Sequence, residues 1–258
     1  MTNSLKRKGA RRIADIPLKI LEQINEGKIE TANLMECLAI DFSKLLQACF
    51  PTIKAASLKK MQNSHGLGWL ERTRLAALIL YEEYNIKVLP KLLNHTSDNV
   101  RGWAAGIVAM IPNISLAERL DLIQPIINDS NSGTRETAWL LMRKHIATNI
   151  DESIACLTKW VRHSNPNFRR FAVESTRPRG VWCSHIQPLK DNPALGLPLL
   201  EPLFSDLSRY VQNSVANWLN DAAKSQPDWV LALTKDWLNK SKTIETQYIC
   251  KRALRSIH

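Results

Sequence analysis

Only nine glycines occur in 258 residues, and they are not grouped into a loop that could cradle phosphate, which excludes the common nucleotide-binding loops. GxSxG and HExxH are missing too, so neither a hydrolase nucleophile elbow nor a zinc-protease helix is indicated. The five cysteines, Cys37, Cys49, Cys156, Cys183 and Cys250, are odd in number, without CxxC spacing, and lie mostly in apolar helical runs. That argues against a disulfide framework and for a reducing compartment. The run Cys183 to His185, with His163 upstream, has no second close pair at zinc-ligand spacing, so no metal and no cofactor is expected. No stretch approaches about 18 uninterrupted apolar residues, even after the basic "LKRKGARR". The expectation is a soluble, cytoplasmic protein with no membrane partner. Strand-type alternation is absent as well.

What the chain has in excess is positive charge and helical pattern. Lys and Arg number 35 against 24 Asp and Glu, a formal net charge of +11, which makes a polyanion such as nucleic acid the first partner to consider. At 45% hydrophobic residues a continuous core is available. The runs "LERTRLAALILYEEY", "VRGWAAGIVAMI", "TRETAWLLMRKHI" and "VQNSVANWLNDAAK" place apolar or small residues at helical three-and-four spacing. Prolines fall mainly at segment edges.

A repeat underlies the pattern. In "SDNVRGWAAG", "NSGTRETAWL" and "NPNFRRFAVE" a polar turn leads to an anchor residue, Val100, Thr134 or Phe168, followed by Arg101, Arg135 or Arg169 and then Ala104, Ala138 or Ala172, each set displaced by 34 residues. A fourth copy is anchored at Val211, 43 residues on, with Gln212 in place of the arginine; the nine extra residues fall at 176–184. An amphipathic run precedes each anchor, so each unit is a helix pair that buries its apolar face only against its neighbours. The fold class expected is all-α, a right-handed α-α solenoid of HEAT-like repeats, with a flexible basic N-terminus at 1–12 and one repeat domain over 13–258.

Positions two, six and ten after each anchor share a helix face. They are Glu136, Leu140 and Lys144 in the second copy, Arg170, Glu174 and Pro178 in the third, Asn213, Asn217 and Asp221 in the fourth. Three carboxylates, Glu136, Glu174 and Asp221, would then meet on one surface among Arg135, Arg169, Arg170, Arg177 and Arg179. Carboxylates beside arginines are commonly solvated ion pairs. Against that, carboxylates weaken a surface that binds only phosphate, and one reason to keep them is a cationic substrate or transition state.

The segments "VESTRPRGVWCSHIQPLKDNP" and "YVQNSVANWLNDAAKSQPDWV" resemble the AlkC branch of the AlkC/AlkD superfamily of HEAT-like-repeat DNA glycosylases, and "KGARRIADIP" and "GKIETANLMECLAID" look like segments of its relatives. The resemblance implies excision of cationic alkylated bases, chiefly N3-methyladenine and also N3-methylcytosine, from duplex DNA without deep base flipping. Glu174, Trp182 and Asp221 fall on the family's acidic and aromatic motif positions; Thr176, Arg177 and Arg179 match its Thr-Arg-Pro-Arg core; Glu136 matches more loosely. Ser175 stands where the family has Gly, and Gln212 where it has Arg. Some relatives carry a further C-terminal β-sandwich domain; this chain ends in a helical "CKRALRSIH", so a variant without it is expected, with the basic N-terminus substituting in the DNA grip.

A base methylated at purine N3 is already a good leaving group, so little general acid is needed. Positive charge shifts to the sugar as the bond breaks, and a carboxylate would stabilise it and orient water. Asp221 and Glu174, assisted by Glu136, are the expected catalytic groups. Trp182, then Trp218 and Trp103, are the candidates for cation-π contact with the lesion. DNA contact is assigned to Arg101, Arg135, Arg169, Arg170, Thr176, Arg177, Arg179, Asn213 and Asn217. Trp69, Trp139, Trp160, Trp229 and Trp237 sit at core spacing and read as packing. The expected partner is duplex DNA bearing alkylated bases, engaged by a monomer of bacterial type, associated with the nucleoid when bound. The alternative is a non-catalytic HEAT-like-repeat protein that recognises distorted or branched DNA; a protein-interaction scaffold would leave the charge and the carboxylates without purpose.

Overall fold

The computed structural model describes residues 7–257, and among these there are sixteen α-helices and no strand. The chain divides into two compact units, 1–114 with 119–141 and 115–118 with 142–258. The first holds α1 (Leu18–Asn25), α2 (Leu34–Ala39), α3 (Phe42–Cys49), α4 (Ala55–Gln62), α5 (Trp69–Tyr84), α6 (Leu89–Leu93), α7 (Asp98–Met110), most of α8 (Leu116–Ile127) and the first part of α9 (Ser132–Thr148). The second holds the rest of α9 with α10 (Ile150–Thr158), α11 (Pro166–Glu174), α12 (Gln187–Asp191), α13 (Leu197–Leu200), α14 (Arg209–Ala223), α15 (Pro227–Lys240) and α16 (Ile244–Ala253). No described helix is long and apolar enough to cross a membrane.

The repeat is visible in the helix starts. Helices α7, α9, α11 and α14 each begin two residues before their anchor, at Asp98, Ser132, Pro166 and Arg209. Ser97 and Asn165 cap two of these starts by accepting N–H bonds from Val100 and Asn167. Anchors and following alanines are buried throughout: Val100, Ala104, Thr134, Ala138, Phe168, Ala172 and Val211. Within the first unit α7 lies against α5 so closely that a Cβ on Gly106 would stand 2.4 Å from Ala77 Cβ, so this contact requires glycine.

A second regularity binds consecutive turns. Five residues before each anchor stands His95, Asp129, His163 or Asp206, whose side chain accepts the N–H two residues on: His95 from Ser97, Asp129 from Asn131, His163 from Asn165, Asp206 from Ser208. The residue after the anchor reaches back to the same turn. Arg101 donates to the carbonyls of His95 and Thr96, Arg135 to those of Asp129 and Ser130, Arg169 to those of His163 and Ser164, and Gln212 to that of Asp206. Arg101 also grips the next turn's Asp129 through Nε at 2.6 Å and a second nitrogen at 2.9 Å, and Arg169 does the same to Asp206 at 2.6 and 3.0 Å. Such two-pronged, charge-assisted bonds stitch one helix pair to the next.

Of the basic N-terminus, residues 1–6 lie outside the described residues. Arg7 is fastened to the buried Glu36 at 2.5 and 2.6 Å, and the Ala10 carbonyl accepts from Asn33 at 2.7 Å, so Arg7 and Ala10 bond to α2 and its cap. None of the five cysteines is in a disulfide.

Candidate functional site

Helix α11 is short because of its sequence. Pro178 has no N–H to give the Glu174 carbonyl, so the helix cannot continue past Glu174 and the chain turns through Thr176 and Arg177, each donating its N–H three residues back. Ser175 sits at φ −66°, a right-handed conformation open to any residue, so serine in place of glycine leaves the turn unstrained. Glu174 is thereby the last helical residue before a loop that runs to Ile186.

Glu174 and Asp221 are brought together in the second unit, and both are buried, at 3% and 4% exposure. Arg177 bridges them: its Nε and a terminal nitrogen each lie 2.8 Å from Asp221 Oδ2, and another terminal nitrogen is 3.2 Å from Glu174 Oε2. Ser214 Oγ donates to Glu174 Oε1 at 2.9 Å, and Arg170 stands 3.7 Å from the same oxygen with its guanidinium 4.2 Å from the Tyr210 ring centre. Both Glu174 oxygens are therefore engaged. At Asp221, among the described residues, only Oδ2 is; Oδ1 has the half-exposed Lys224 ammonium at 3.8 Å and no hydrogen bond. Burial pushes the Asp221 carboxyl above the usual carboxylate range, and the opposing pull of Arg177 does not restore it. Burial alone would lower Arg177, but the charges of Glu174 and Asp221 keep its guanidinium raised.

The loop is held from below by Arg143, a residue the sequence did not single out. It is 3% exposed and donates to three loop carbonyls, Ser175 at 3.2 Å, Arg177 at 2.6 Å and Ser184 at 2.9 Å. Gly180 passes so near it that a Cβ there would lie 3.1 Å from the Arg143 guanidinium carbon and 2.1 Å from Cys183 Sγ. At the tip, Trp182 is 53% exposed with φ +63°, a left-handed backbone that is costly for a bulky residue and that turns its ring outward beside the exposed Val181.

Several expected contacts take other roles. Trp218 is wholly buried, its Nε1–H donating to Thr176 at 3.0 Å (carbonyl) and 3.3 Å (hydroxyl), and Thr176, also wholly buried, donates to Ala172 and Val173 carbonyls. Trp103 is likewise wholly buried, against Phe42. None of these three offers a surface to DNA; they are core. Arg101 and Arg169 are held in the turn-to-turn bonds described above, Arg135 donates to two carbonyls of its own turn, and Arg177 is held between carboxylates. Arg179 differs: it donates to Ser225 Oγ at 2.7 Å and its Nε–H has no acceptor. Asn213 accepts from Tyr248 of α16 and Asn217 from Arg255 in the turn after it. Glu136, in the first unit, accepts from Trp139 Nε1 at 2.7 Å. Trp69, Trp139, Trp160 and Trp237 are buried as expected, and Trp229 is half-buried against Trp218.

Comparison with known proteins gives this site a context. Uncharacterized protein YhaZ of Bacillus subtilis is 32% identical over 195 residues, which are 72% of this chain and 52% of that protein; the chain spans about half the length of this curated relative. In fold it is similar to the Pseudomonas fluorescens alkylpurine DNA glycosylase AlkC, solved bound to DNA containing an abasic site analog, with TM-score 0.67 and 23% identity over 96% of this chain and 65% of that one. AlkD2 from Streptococcus mutans is similar at TM-score 0.62 and 22% identity, over 80% of this chain and 99% of its own. The all-α, HEAT-like-repeat class expected from the sequence is the class of these structures. A model of the DNA alkylation repair enzymes matches residues 56–257, and the chain belongs to that family.

Proposed function

We propose that the chain is a DNA glycosylase that hydrolyses the N-glycosidic bond of cationic alkylated bases, N3-methyladenine above all, with Asp221 as the principal catalytic carboxylate. The observation that supports this most strongly is the asymmetry of the carboxylate pair. Glu174 spends both oxygens on Arg177, Arg170 and Ser214, whereas Asp221 keeps Oδ1 without a hydrogen bond. Glu174 is thus the group that fixes Arg177 and, through it, Asp221.

In the reaction the C1′–N bond breaks and its electron pair neutralises the departing cationic base. The sugar is left with positive charge that Asp221 stabilises. Water adds at C1′ and gives its proton to a carboxylate, a role that suits Asp221, whose proton affinity burial raises. Trp182 is the aromatic face for the lesion, by cation-π attraction of about 0.5–2 kcal/mol.

The test is single-turnover base release from duplex DNA carrying N3-methyladenine. Wild type is expected to release the base, with Asp221→Asn slowed most, Glu174→Gln slowed less, and DNA binding kept by both. Wild-type rates in both variants would remove the catalytic assignment.

A further inference from the structure

The assigned grip on DNA relied on arginines after the anchors, and these are consumed by the fold. A different set is not. Tyr248 and Arg252 lie four residues apart on α16, Arg255 lies in the turn that follows it, and Tyr248 and Arg255 bond to Asn213 and Asn217 of the α14 stripe. Tyr248 Oη donates to Asn213 at 2.7 Å, Arg255 donates to Asn217 at 2.9 Å, and Asn220, the neighbour of Asp221, donates to the Ala253 carbonyl at 3.0 Å. Arg209 of α14 stands 3.6 Å over the Tyr248 ring centre and Arg252 stands 5.5 Å from it.

These three arginines are not ion-paired to any described carboxylate, in contrast to Arg101, Arg169 and Arg177. Arg209 and Arg255 are exposed, Arg252 is half-buried, and the Arg252 Nε–H is buried without an acceptor. Burial and the neighbouring charge of Arg252 pull Arg255 below its ordinary range, and Asp221 offsets that repulsion only in part. An arrangement of this kind is stabilised when an anion arrives, and guanidinium edges set on an aromatic face suit the two-pronged geometry of a phosphodiester.

We propose that Arg209, Arg252 and Arg255, set on Tyr248, form a phosphodiester-binding site that holds the DNA backbone beside Asp221. The inference rests on the reading of DNA as substrate. It places the grip on the start of α14, on α16 and on the turn after α16, instead of on the arginines that follow the anchors. Tyr248 is the platform, and Asn217 orients Arg255 toward the strand.

The test is fluorescence anisotropy of the full chain with an undamaged labelled duplex, titrated with salt, in wild type, Arg252→Gln/Arg255→Gln and Arg252→Lys/Arg255→Lys. Each lost duplex phosphate contact makes the slope of log K against log salt shallower by about 0.9, so the glutamine variant should lose about 1.8 of slope and about 60-fold in affinity near 0.1 M salt. The lysine variant keeps the charges and should keep the wild-type slope. Equal slopes in all three overturn the site. A lysine variant as shallow as the glutamine one also overturns it, because the bond to Asn217 and the ring stacking would then be what mattered. Should the double glutamine variant melt early, Arg255→Gln alone, at an exposed residue, is expected to show about half the change. Base release is run in parallel on wild type: the predicted slopes without release support the phosphate site while removing the glycosylase reading.

Discussion

Replacing Asp221 by Asn should slow base release and raise thermal stability together. The carboxyl is buried and its pKa lies above the ordinary range, chiefly through burial, even with Arg177 attached. A group whose proton is held more tightly in the fold than in the unfolded chain makes stability fall as pH rises from its unfolded value, near about 3.9, up to its folded one. At neutral pH the fold therefore bears the cost of ionising Asp221. Asparagine removes the cost and can still accept from Arg177 Nε, while Glu174 remains 3.2 Å from the same guanidinium. Each kcal/mol recovered corresponds to about 2–4 °C in Tm for a chain of this size. For the rate, a carboxylate about 4 Å from a developing sugar cation at an effective dielectric of about 20 is worth about 4 kcal/mol, or about 10³-fold. Single-turnover release and melting followed by circular dichroism, at pH 7 and at falling pH, measure both. The stability gap between wild type and variant should close as pH drops through the folded pKa. A variant that releases base at the wild-type rate, or that melts several degrees lower at pH 7, refutes the reasoning.

Trp182→Ala, at an exposed loop tip, is expected to lower base release with little change in Tm, whereas Trp103→Ala should cost about 3–5 kcal/mol of stability; melting curves of the two separate surface from core. Arg169→Met leaves Asp206 and two carbonyls without their partner and should destabilise by about 3–5 kcal/mol, with no change in the salt slope of DNA binding. Burial pushes the thiols of Cys37, Cys49 and Cys250 up to about 12, 11 and 11, so at pH 8 a thiol reagent should titrate only the half-buried Cys156 and Cys183 in the native chain, and all five once it is denatured.

The 34-residue spacing was readable because each second helix begins at the same distance from its anchor, and helical periodicity carries that register directly. Glu174 and Asp221 were readable for the same reason, since a helix-face count places them on one stripe. The arginine after each anchor was equally plain as a pattern but not as a role. Its partners, Asp129 for Arg101 and Asp206 for Arg169, stand 28 and 37 residues downstream, and only folding reveals that the charges are already matched. Trp103, Trp218 and Trp182 look alike in sequence; burial and the left-handed turn at residue 182 separate them. Arg143 gave no signal at all within "LLMRKHI", because what it binds is backbone carbonyl oxygen, which every residue possesses. Arg252 and Arg255 carry no repeat signal because they lie beyond the four matched copies.

The most direct measurement compares wild-type release from two duplexes that differ in one base, a cationic N3-methyladenine and a neutral hypoxanthine. A site built on buried carboxylates and lacking a strong general acid should free the cationic base and leave the neutral one in place. Failure to release the cationic base, or equal release of both, would contradict it.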